Sequence, residues 1–461
     1  MASKSKHSAL EVWTTGWHWE ERITNFTPSW FTVNMGTGIV TQLLVNFPYP
    51  TQWLRNLGYC FWILDICLYA MFTVFLVLRY SWYPVLLIKT FNDFSQSNYL
   101  GAIAIGFNTI IMGIISYYNY RESAMWVAYG MWWFSVALTL AVSLVAVFVM
   151  FVKQEKHELE EITAVWLLSF IPMIVTSATG GALLPYIRYP NNVAVLVVSF
   201  LLWSAGESIC FIIITIYLWR LTSCNLPTRD AIVSCCIGLG PFGMGAYSIQ
   251  LQAVFLSQYI KGAHFAPTQS EPPPLPQETL LATAEGVHWL GIIVALALIG
   301  HCTFWFVESF CNIIFRIPKS FNIGFWAFTF PLGVYALGLS NLSKDIRNNG
   351  FKGYAAAISV LTVLFWLMCA VGTVYKGFWK GELFYAPGLE DWIYDYPGEG
   401  KRQKKPGEPR KISKSVQRLE RMQARKRTTN STGGYSIDRQ SAGDEEKGHA
   451  NGHAGPQETD R

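Results

Sequence analysis

Apolar residues recur along the chain in blocks of about 20, and short polar connections separate the blocks. At about 1.5 Å per residue, one such block crosses the roughly 30 Å hydrocarbon core of a bilayer as an α-helix. The pattern predicts an all-α membrane protein with ten transmembrane helices. The predicted spans cover residues 27–46, 58–78, 98–118, 124–151, 163–184, 192–219, 230–260, 285–307, 322–341 and 353–375.

The composition agrees with this interpretation. Charged residues make up 14% of the chain and hydrophobic residues 52%, whereas roughly a quarter of the residues of a soluble protein are charged. Pro28, Asn34 and Gln42 interrupt the first block, which is therefore not a cleavable signal peptide. The nine cysteines show no paired zinc-ligand spacing. We expect no metal, no cofactor and no enzyme activity, since the common catalytic motifs are absent from the sequence.

Three regions follow from the pattern of charge and hydropathy. Residues 1–24 form a short polar segment, residues 25–380 the transmembrane domain, and residues 381–461 a polar, Gly-rich tail that we expect to be largely disordered. Within the tail, residues 401–427 carry twelve basic and two acidic side chains. The net charge of this run, +10, exceeds the net charge of the whole chain, +5, so the other residues together are net negative. No nucleic-acid partner is therefore expected.

The orientation follows from Lys and Arg near the ends of the spans, because these side chains resist translocation. An even number of spans places both termini on one side. That side carries thirteen Lys and Arg before the tail is added, and the other side carries seven. Both termini are therefore predicted to be cytosolic. The basic tail would either face the anionic inner leaflet of the bilayer or remain a solvated segment without a partner.

Odd-numbered spans concentrate proline, glycine and small polar residues, whereas even-numbered spans are more uniformly apolar. Lipid offers no hydrogen bonds, so backbone groups that a proline frees must meet protein or water. The alternation predicts an inner ring of odd helices around a pore, with helix breaks at Pro28, Pro172, Pro241 and Pro331. Such small-residue patterns also serve helix packing, which is the alternative for any single glycine.

Uncharged dipoles in the odd spans are candidates to hold an anion without trapping it, and no Lys or Arg lies in the middle of a span. The candidates are Asn34, Thr37, Asn108, Thr109, Thr176, Ser177, Ser248 and Thr329. Ionisable residues within the spans are Asp65, Glu207, Glu285, His288, His301 and Glu308. Glu207 and His301 are candidates for proton coupling, and hydrogen-bonded packing is the alternative for both.

Several motifs in order carry a resemblance to a known family. They are Pro28 followed by MGTG at 35–38, NFPYP at 46–50, WW at 132–133, GPFGMG at 240–245 and FWAFTFPLG at 325–333. The sequence resembles the tellurite-resistance and dicarboxylate transporter family, which has the slow-type anion channel fold. Within that family it is most similar to the sulfite efflux pumps of fungi. Two positions depart from the pattern: residues 102–106 lack a proline, and Met244 stands where these pumps tend to have glutamine.

The resemblance implies five helical hairpins around a central pore with pseudo-fivefold symmetry. It also implies that Phe330, just before Pro331, closes the pore, and that Phe107 in the third span is a second candidate gate. An ordinary packing role is the alternative for both rings. Relatives with this fold form homo-oligomers, including trimers, so a homo-oligomer is expected here.

The function expected from the resemblance is export of sulfite or hydrogen sulfite across the plasma membrane of a fungal cell. The expected partners are this small anion and the lipid bilayer. A malate or dicarboxylate transporter, or an anion channel of the same fold, is the alternative. A third possibility is a membrane receptor or scaffold that acts through its basic tail.

Overall fold

The computed structural model describes residues 23–154, 158–262, 276–379 and Leu383. Within these ranges every regular element is a helix and no strand occurs, which confirms the all-α prediction. The Pro-rich connection between the seventh and eighth spans lies almost entirely outside the described residues. The same holds for the basic tail and for most of the N-terminal segment.

We number the helices that correspond to the ten predicted spans α1 to α10. They are α1 Phe31–Val45, α2 Gln52–Trp82, α3 Phe94–Tyr118, α4 Glu122–Lys153, α5 Ile171–Leu183, α6 Asn191–Cys224, α7 Gly240–Lys261, α8 Gln277–Phe315, α9 Thr329–Ile346 and α10 Asn349–Thr373. Four inner helices continue from short 3₁₀ segments, which are Pro28–Trp30, Ala164–Ser169, Ile232–Leu239 and Ile323–Phe328.

Among the described residues, eight helices are long and apolar enough to cross a membrane, namely all but α1 and α5. The α-helical parts of α1 and α5 are shorter, at 15 and 13 residues. All even helices begin before the predicted spans, and α2, α4, α6 and α8 also end after them, so that α8 reaches 39 residues. Hydropathy identifies only the part of a helix that lies in the hydrocarbon core of the bilayer. Polar helix ends such as Gln277 and Glu278 were therefore not predicted.

Two helices begin with a side chain that accepts a hydrogen bond from a backbone N–H of the first turn. At the start of α3, the carboxylate of Asp93 accepts a hydrogen bond from the backbone N–H of Gln96 over 2.8 Å. At the start of α10, the side chain of Asn348 accepts one from the N–H of Phe351 over 3.0 Å. Both contacts satisfy donors that the first helical turn leaves open. The sequence pattern did not predict the short helix Pro84–Asn92 between α2 and α3.

The helices divide into an inner and an outer group. The odd helices contact one another in a closed order, α1 with α3, α3 with α5, α5 with α7, α7 with α9, and α9 with α1. Each even helix packs against the odd helix before it and also contacts the next one. In the apolar stretch of α7 every residue is buried, against 17% of the residues in that of α2. The alternation between odd and even spans in the sequence therefore corresponds to a difference in burial between the inner and the outer helices.

Candidate anion pathway

Phe330 lies on the face of α9 that points into the ring. Thr329 packs against α1, Gly338 packs against α7, and the hydroxyl of Tyr335 meets the hydroxyls of Thr303 in α8 and Tyr354 in α10. A helix turns by about 100° per residue, which places Phe330 between the α1 and α7 directions and away from the outer helices. Its side chain is 1% exposed.

The corresponding faces of the other inner helices are apolar. The same helical spacing brings Met35 of α1, Ile105 of α3, Val175 of α5 and Met244 of α7 to the inner side. All four are buried in one hydrophobic cluster with Phe330. In this conformation the middle of the ring is packed with apolar side chains, and such a constriction excludes water and ions.

Two candidate pore dipoles bind a carboxylate. The side-chain amide of Asn34 donates a hydrogen bond to the Asp65 side chain, and the Thr109 hydroxyl donates to its other oxygen over 2.8 Å. The absence of a side chain at Gly38 makes space for the Asp65 carboxylate, since a Cβ there would lie 2.7 Å from that second oxygen. Asn34 and Thr109 therefore connect α1 and α3 to the outer helix α2 through Asp65.

A second group surrounds Thr176 of α5. The amide of Asn108 in α3 donates to the Thr176 hydroxyl over 3.0 Å and to the Ser135 hydroxyl in α4 over 2.7 Å. The hydroxyls of Thr139 and Thr176 lie 2.8 Å apart, and the indole N–H of Trp132 donates to the carbonyl of Thr176 over 2.9 Å. Asn108 and Thr176 therefore join α3, α4 and α5.

Ser177 of α5 and Ser248 of α7 form a third group, with their hydroxyls 2.9 Å apart. The Ser177 hydroxyl donates to the carbonyl of Ser199 in α6. The amide of Gln252 donates to both hydroxyls, over 3.0 and 2.9 Å. Gln252 was not among the candidates, because a glutamine within a span gives no signal that distinguishes a helix-packing residue from one that faces a pore.

The last two candidate dipoles also have protein partners. The Thr37 hydroxyl donates to the carbonyl of Val33 and accepts from the indole N–H of Trp366 in α10 over 3.1 Å. The Thr329 hydroxyl donates to the carbonyl of Trp326 over 2.8 Å. In this conformation all eight candidates make hydrogen bonds to protein. Seven of them bond to a different helix, and Thr329 bonds within its own segment.

Phe107 does not lie at the centre of the ring. Its ring centroid is 5.9 Å from that of Tyr69 in α2 and 5.4 Å from that of Phe134 in α4. Tyr69 and Phe134 belong to outer helices, so Phe107 occupies the outward face of α3. This position does not fit the second gate that the resemblance implied, and we do not assign that role to Phe107.

The four prolines stand at the beginnings of helices. Pro28 opens a 3₁₀ segment, whereas Pro172 and Pro241 occupy the second positions of α5 and α7, and Pro331 the third position of α9. In α5, α7 and α9 the chain changes from 3₁₀ to α geometry just before the proline. A proline at these positions removes an N–H that has no intrahelical partner.

The two candidates for proton coupling differ in their surroundings. Glu207 of α6 is 4% exposed, and neither carboxylate oxygen has a hydrogen-bond partner in the described part of the chain. Its side chain packs on the backbone of α7 at Gly245, where no Cβ would fit. His301 of α8 is partly buried, lies 4.2 Å from Phe242 between ring centroids, and accepts from the indole N–H of Trp305. Glu207 and His301 are not hydrogen-bonded to each other.

Three arginines counted for the orientation have a structural role at the end of the bundle where α1 begins. The guanidinium of Arg79 donates to the carbonyl of Phe26 over 2.8 Å. Arg220 donates to the carbonyls of Asn225 and Glu160, and Arg316 to two carbonyls of the loop before α7. Among the described residues, no group of three or more His, Cys, Asp or Glu side chains is arranged to hold a metal ion.

A family profile described as voltage-dependent anion channel (SLAC1) matches residues 25–374. The chain therefore belongs to the voltage-dependent anion channel family and is a multi-pass membrane protein. Members of this family are transporters or channels and not enzymes. The family agrees with the resemblance seen in the sequence.

Curated relatives cover most of the chain. The sulfite efflux pump of Arthroderma benhamiae is 30% identical over 369 residues, which are 78% of this chain and 93% of that protein. The sulfite efflux pump of Saccharomyces cerevisiae is 26% identical over 406 residues, or 76% of this chain and 87% of the relative. The malic acid transport protein of Schizosaccharomyces pombe is 21% identical over 390 residues, 82% and 84% of the two chains.

Proposed function

We propose that this protein exports sulfite or hydrogen sulfite from a fungal cell across its plasma membrane. The main support for this substrate is the similarity to the Arthroderma sulfite efflux pump over 93% of that protein's length. The inside-negative membrane potential supplies the driving force, about 2.3 kcal/mol per charge per 100 mV.

The architecture of the proposal is ten membrane-crossing helices in five hairpins, with pseudo-fivefold symmetry about a central pore. The closed order of contacts among α1, α3, α5, α7 and α9 supports it. Short α1 and α5 reach across the bilayer together with the segments that precede them. Phe330 closes the pore in the conformation described above, where the ring interior is apolar.

The pathway opens when Phe330 leaves the axis and the inner helices move apart. As the inner helices move apart, hydroxyl and amide groups that now bond to protein become available to turn toward the passage. We assign the contact with a passing anion to Asn34, Thr37, Asn108, Thr109, Thr176, Ser177, Ser248 and Thr329. These groups are uncharged, so they hold the anion weakly enough to release it.

Both termini face the cytosol in this proposal, and the basic tail lies beside the anionic inner leaflet. The arginines and lysines near span ends support this orientation, since they outnumber those on the other side. The protein assembles as a homo-oligomer, as relatives of this fold do. Deleting residues 385–461 is expected to leave most of the transport activity, whereas a receptor acting through the tail would lose its function.

The test is anion flux through the purified protein in liposomes loaded with sulfite. A potassium gradient with valinomycin sets the membrane potential, and protein-free liposomes serve as the control. Sulfite efflux should increase as the interior becomes more negative. Flux of malate without flux of sulfite would contradict the proposal.

A malate or dicarboxylate transporter is the second candidate. The similarity to the Schizosaccharomyces malic acid transport protein favours it, although the identity is lower, at 21%. In this alternative Glu207 or His301 couples transport to protons. Comparing sulfite and malate flux across a pH step separates the two candidates.

A further inference from the structure

A cavity of about 500 Å³ opens at the end of the bundle where α1 and α9 end and α10 begins. Its wall includes Asn46 after α1, Ser340 and Lys344 in α9, Arg347 in the α9–α10 turn, and Lys352 in the first turns of α10. None of these residues belongs to the pathway described above. The cavity is large enough for a small hydrated ion.

The cavity wall is strongly basic. It carries Lys344, Arg347 and Lys352, and in the described part of the chain no carboxylate lies within ion-pair distance of any of them. The nearby carboxylate of Asp345 turns to His288 in α8, at 3.5 Å. The ammonium of Lys352 lies 4.6 Å from the ring centroid of Tyr49. Among the described residues, no carboxylate forms an ion pair with these three cations, Asp345 is the acid nearest to Lys344, and the Lys344 ammonium donates to the side-chain oxygen of Asn341 over 3.2 Å.

A second observation points to a ligand at the same place. Ser340 is one of the residues that line the cavity, and it is 1% exposed. Its oxygen has no hydrogen-bond partner among the described residues, although the neighbouring Ser343 hydroxyl donates to the Ser340 carbonyl. A buried hydroxyl without a partner is unfavourable by about 1–3 kcal/mol. An acceptor atom in the cavity would remove this cost.

The beginning of α10 adds to the electrostatics. Asn349, its first residue, lines the cavity, and the Asn348 side chain already accepts the N–H of Phe351. The remaining N–H groups of the first turn and the helix dipole favour a negative charge at this end. Cations, a free hydroxyl donor and a helix N-terminus thus converge on one cavity.

We infer that this cavity binds a small oxyanion at the exit end of the transport pathway. The inference rests on the proposed function for the identity of the anion and for the side on which the cavity lies. Ser340 follows Phe330 by ten residues in α9, or about 15 Å along the helix. The cavity therefore lies between α1, α9 and α10 at the exit end of the bundle, and an external oxyanion that occupies it is expected to slow efflux.

The test uses inorganic sulfate as the probe and the full chain in lipid nanodiscs. An amine-reactive acetylating reagent labels Lys352, and peptide mass spectrometry follows the rate with sulfate or with gluconate at equal ionic strength. Exposed Lys261, at the end of α7, serves as the internal reference. Sulfate should slow labelling of Lys352 by a factor of about 1 + [sulfate]/Kd and leave Lys261 unchanged.

Variants locate the site. Arg347 has a left-handed backbone with φ of 51°, which asparagine tolerates, so Arg347→Asn removes the charge without new strain. We expect it to weaken the protection of Lys352 by about fivefold. Ser340→Ala should weaken the protection as well. Arg121→Gln, an exposed cation at the same end and outside the cavity, should not change it.

Equal slowing at Lys352 and Lys261, or protection that survives Arg347→Asn, would overturn the inference. Sulfite flux in liposomes separates this result from a failure of the proposed function. Protection of Lys352 without any sulfite flux would keep the oxyanion site and refute the function. Sulfite flux without protection of Lys352 would support the proposed function and refute the oxyanion site.

Discussion

The hydroxyl of Thr109 in α3 donates a 2.8 Å hydrogen bond to the carboxylate of Asp65 in α2. Asn34 of α1 donates to the same side chain, which is fully buried. Two inner helices and one outer helix therefore meet at a single acid. In a membrane, an acid without partners is costly, so this group is a main polar contact between the two rings.

Replacing Asp65 by alanine should lower stability. The hydroxyl of Thr109 and the amide of Asn34 lose the carboxylate and keep only the backbone carbonyls of Gly106 and residue 65 as acceptors. Together these weakened contacts should cost about 1–3 kcal/mol. Thermal unfolding in detergent should show a clear decrease in Tm. Glu122→Ala is the matched control, because Glu122 and its partner Arg188 are both exposed and exposed pairs contribute about 0–1 kcal/mol. Equal effects of the two substitutions would contradict the structural role of Asp65.

Two glycines should respond oppositely to alanine. A Cβ at Gly101 in α3 would lie 1.8 Å from the backbone oxygen of Leu168, whereas a Cβ at Gly130 in α4 would meet nothing within 4 Å. Gly101→Ala should destabilise the protein by about 3 kcal/mol or prevent folding. Gly130→Ala should stabilise it by about 0.5–1 kcal/mol, since glycine is unfavourable inside a helix. Chemical or thermal unfolding in detergent measures both.

Phe330→Ala should raise the flux of sulfite in liposomes. Removing the ring opens space on the inner face of α9, and a constriction that holds water conducts ions. Phe328→Ala is the control, because Phe328 stacks on Phe365 of α10 at 4.6 Å. Each change loses about 3–5 kcal/mol of packing, so flux is compared per folded protein. Unchanged flux in Phe330→Ala would rule out the gate.

Glu207→Gln tests proton coupling. The substitution keeps the shape of a side chain that packs against Gly245 and removes the titrating group. If Glu207 couples transport to protons, stimulation of flux by a pH gradient should disappear while flux down the anion gradient continues. His301→Gln should retain the stimulation, because His301 faces Phe242 and Trp305. A pH response that Glu207→Gln leaves intact excludes this role for Glu207.

Periodicity and span length predicted the fold more fully than the site. The proline and glycine content of the odd spans predicted which helices are buried, because a kinked helix needs protein neighbours on every side. The helix Pro84–Asn92 did not appear in the prediction, since nine residues of mixed polarity between two spans have no distinctive pattern. The shortness of α5 was also missed, because 3₁₀ and α segments have the same composition.

The prediction of the site was less complete for a physical reason. A threonine or asparagine in a membrane helix needs a hydrogen-bond partner, but the sequence does not specify whether that partner is an ion or a neighbouring helix. The contact between Asn108 and Thr176 is a helix-to-helix contact in this conformation. Similarly, the sequence shows that Phe107 is aromatic, and only the contacts with Tyr69 and Phe134 place it on the outer face.

The change from 3₁₀ to α geometry before Pro172, Pro241 and Pro331 affects three consecutive inner helices, while α3 is one uninterrupted α-helix from Phe94 to Tyr118. Bending is easiest where a backbone hydrogen bond is missing. Helix α1 also continues from a 3₁₀ segment, Pro28–Trp30. We therefore expect flexing of the bundle to concentrate at these four junctions, with α3 as the stiffest inner helix. In the proposed mechanism we therefore expect an asymmetric opening, with α9 and its Phe330 on the more flexible side.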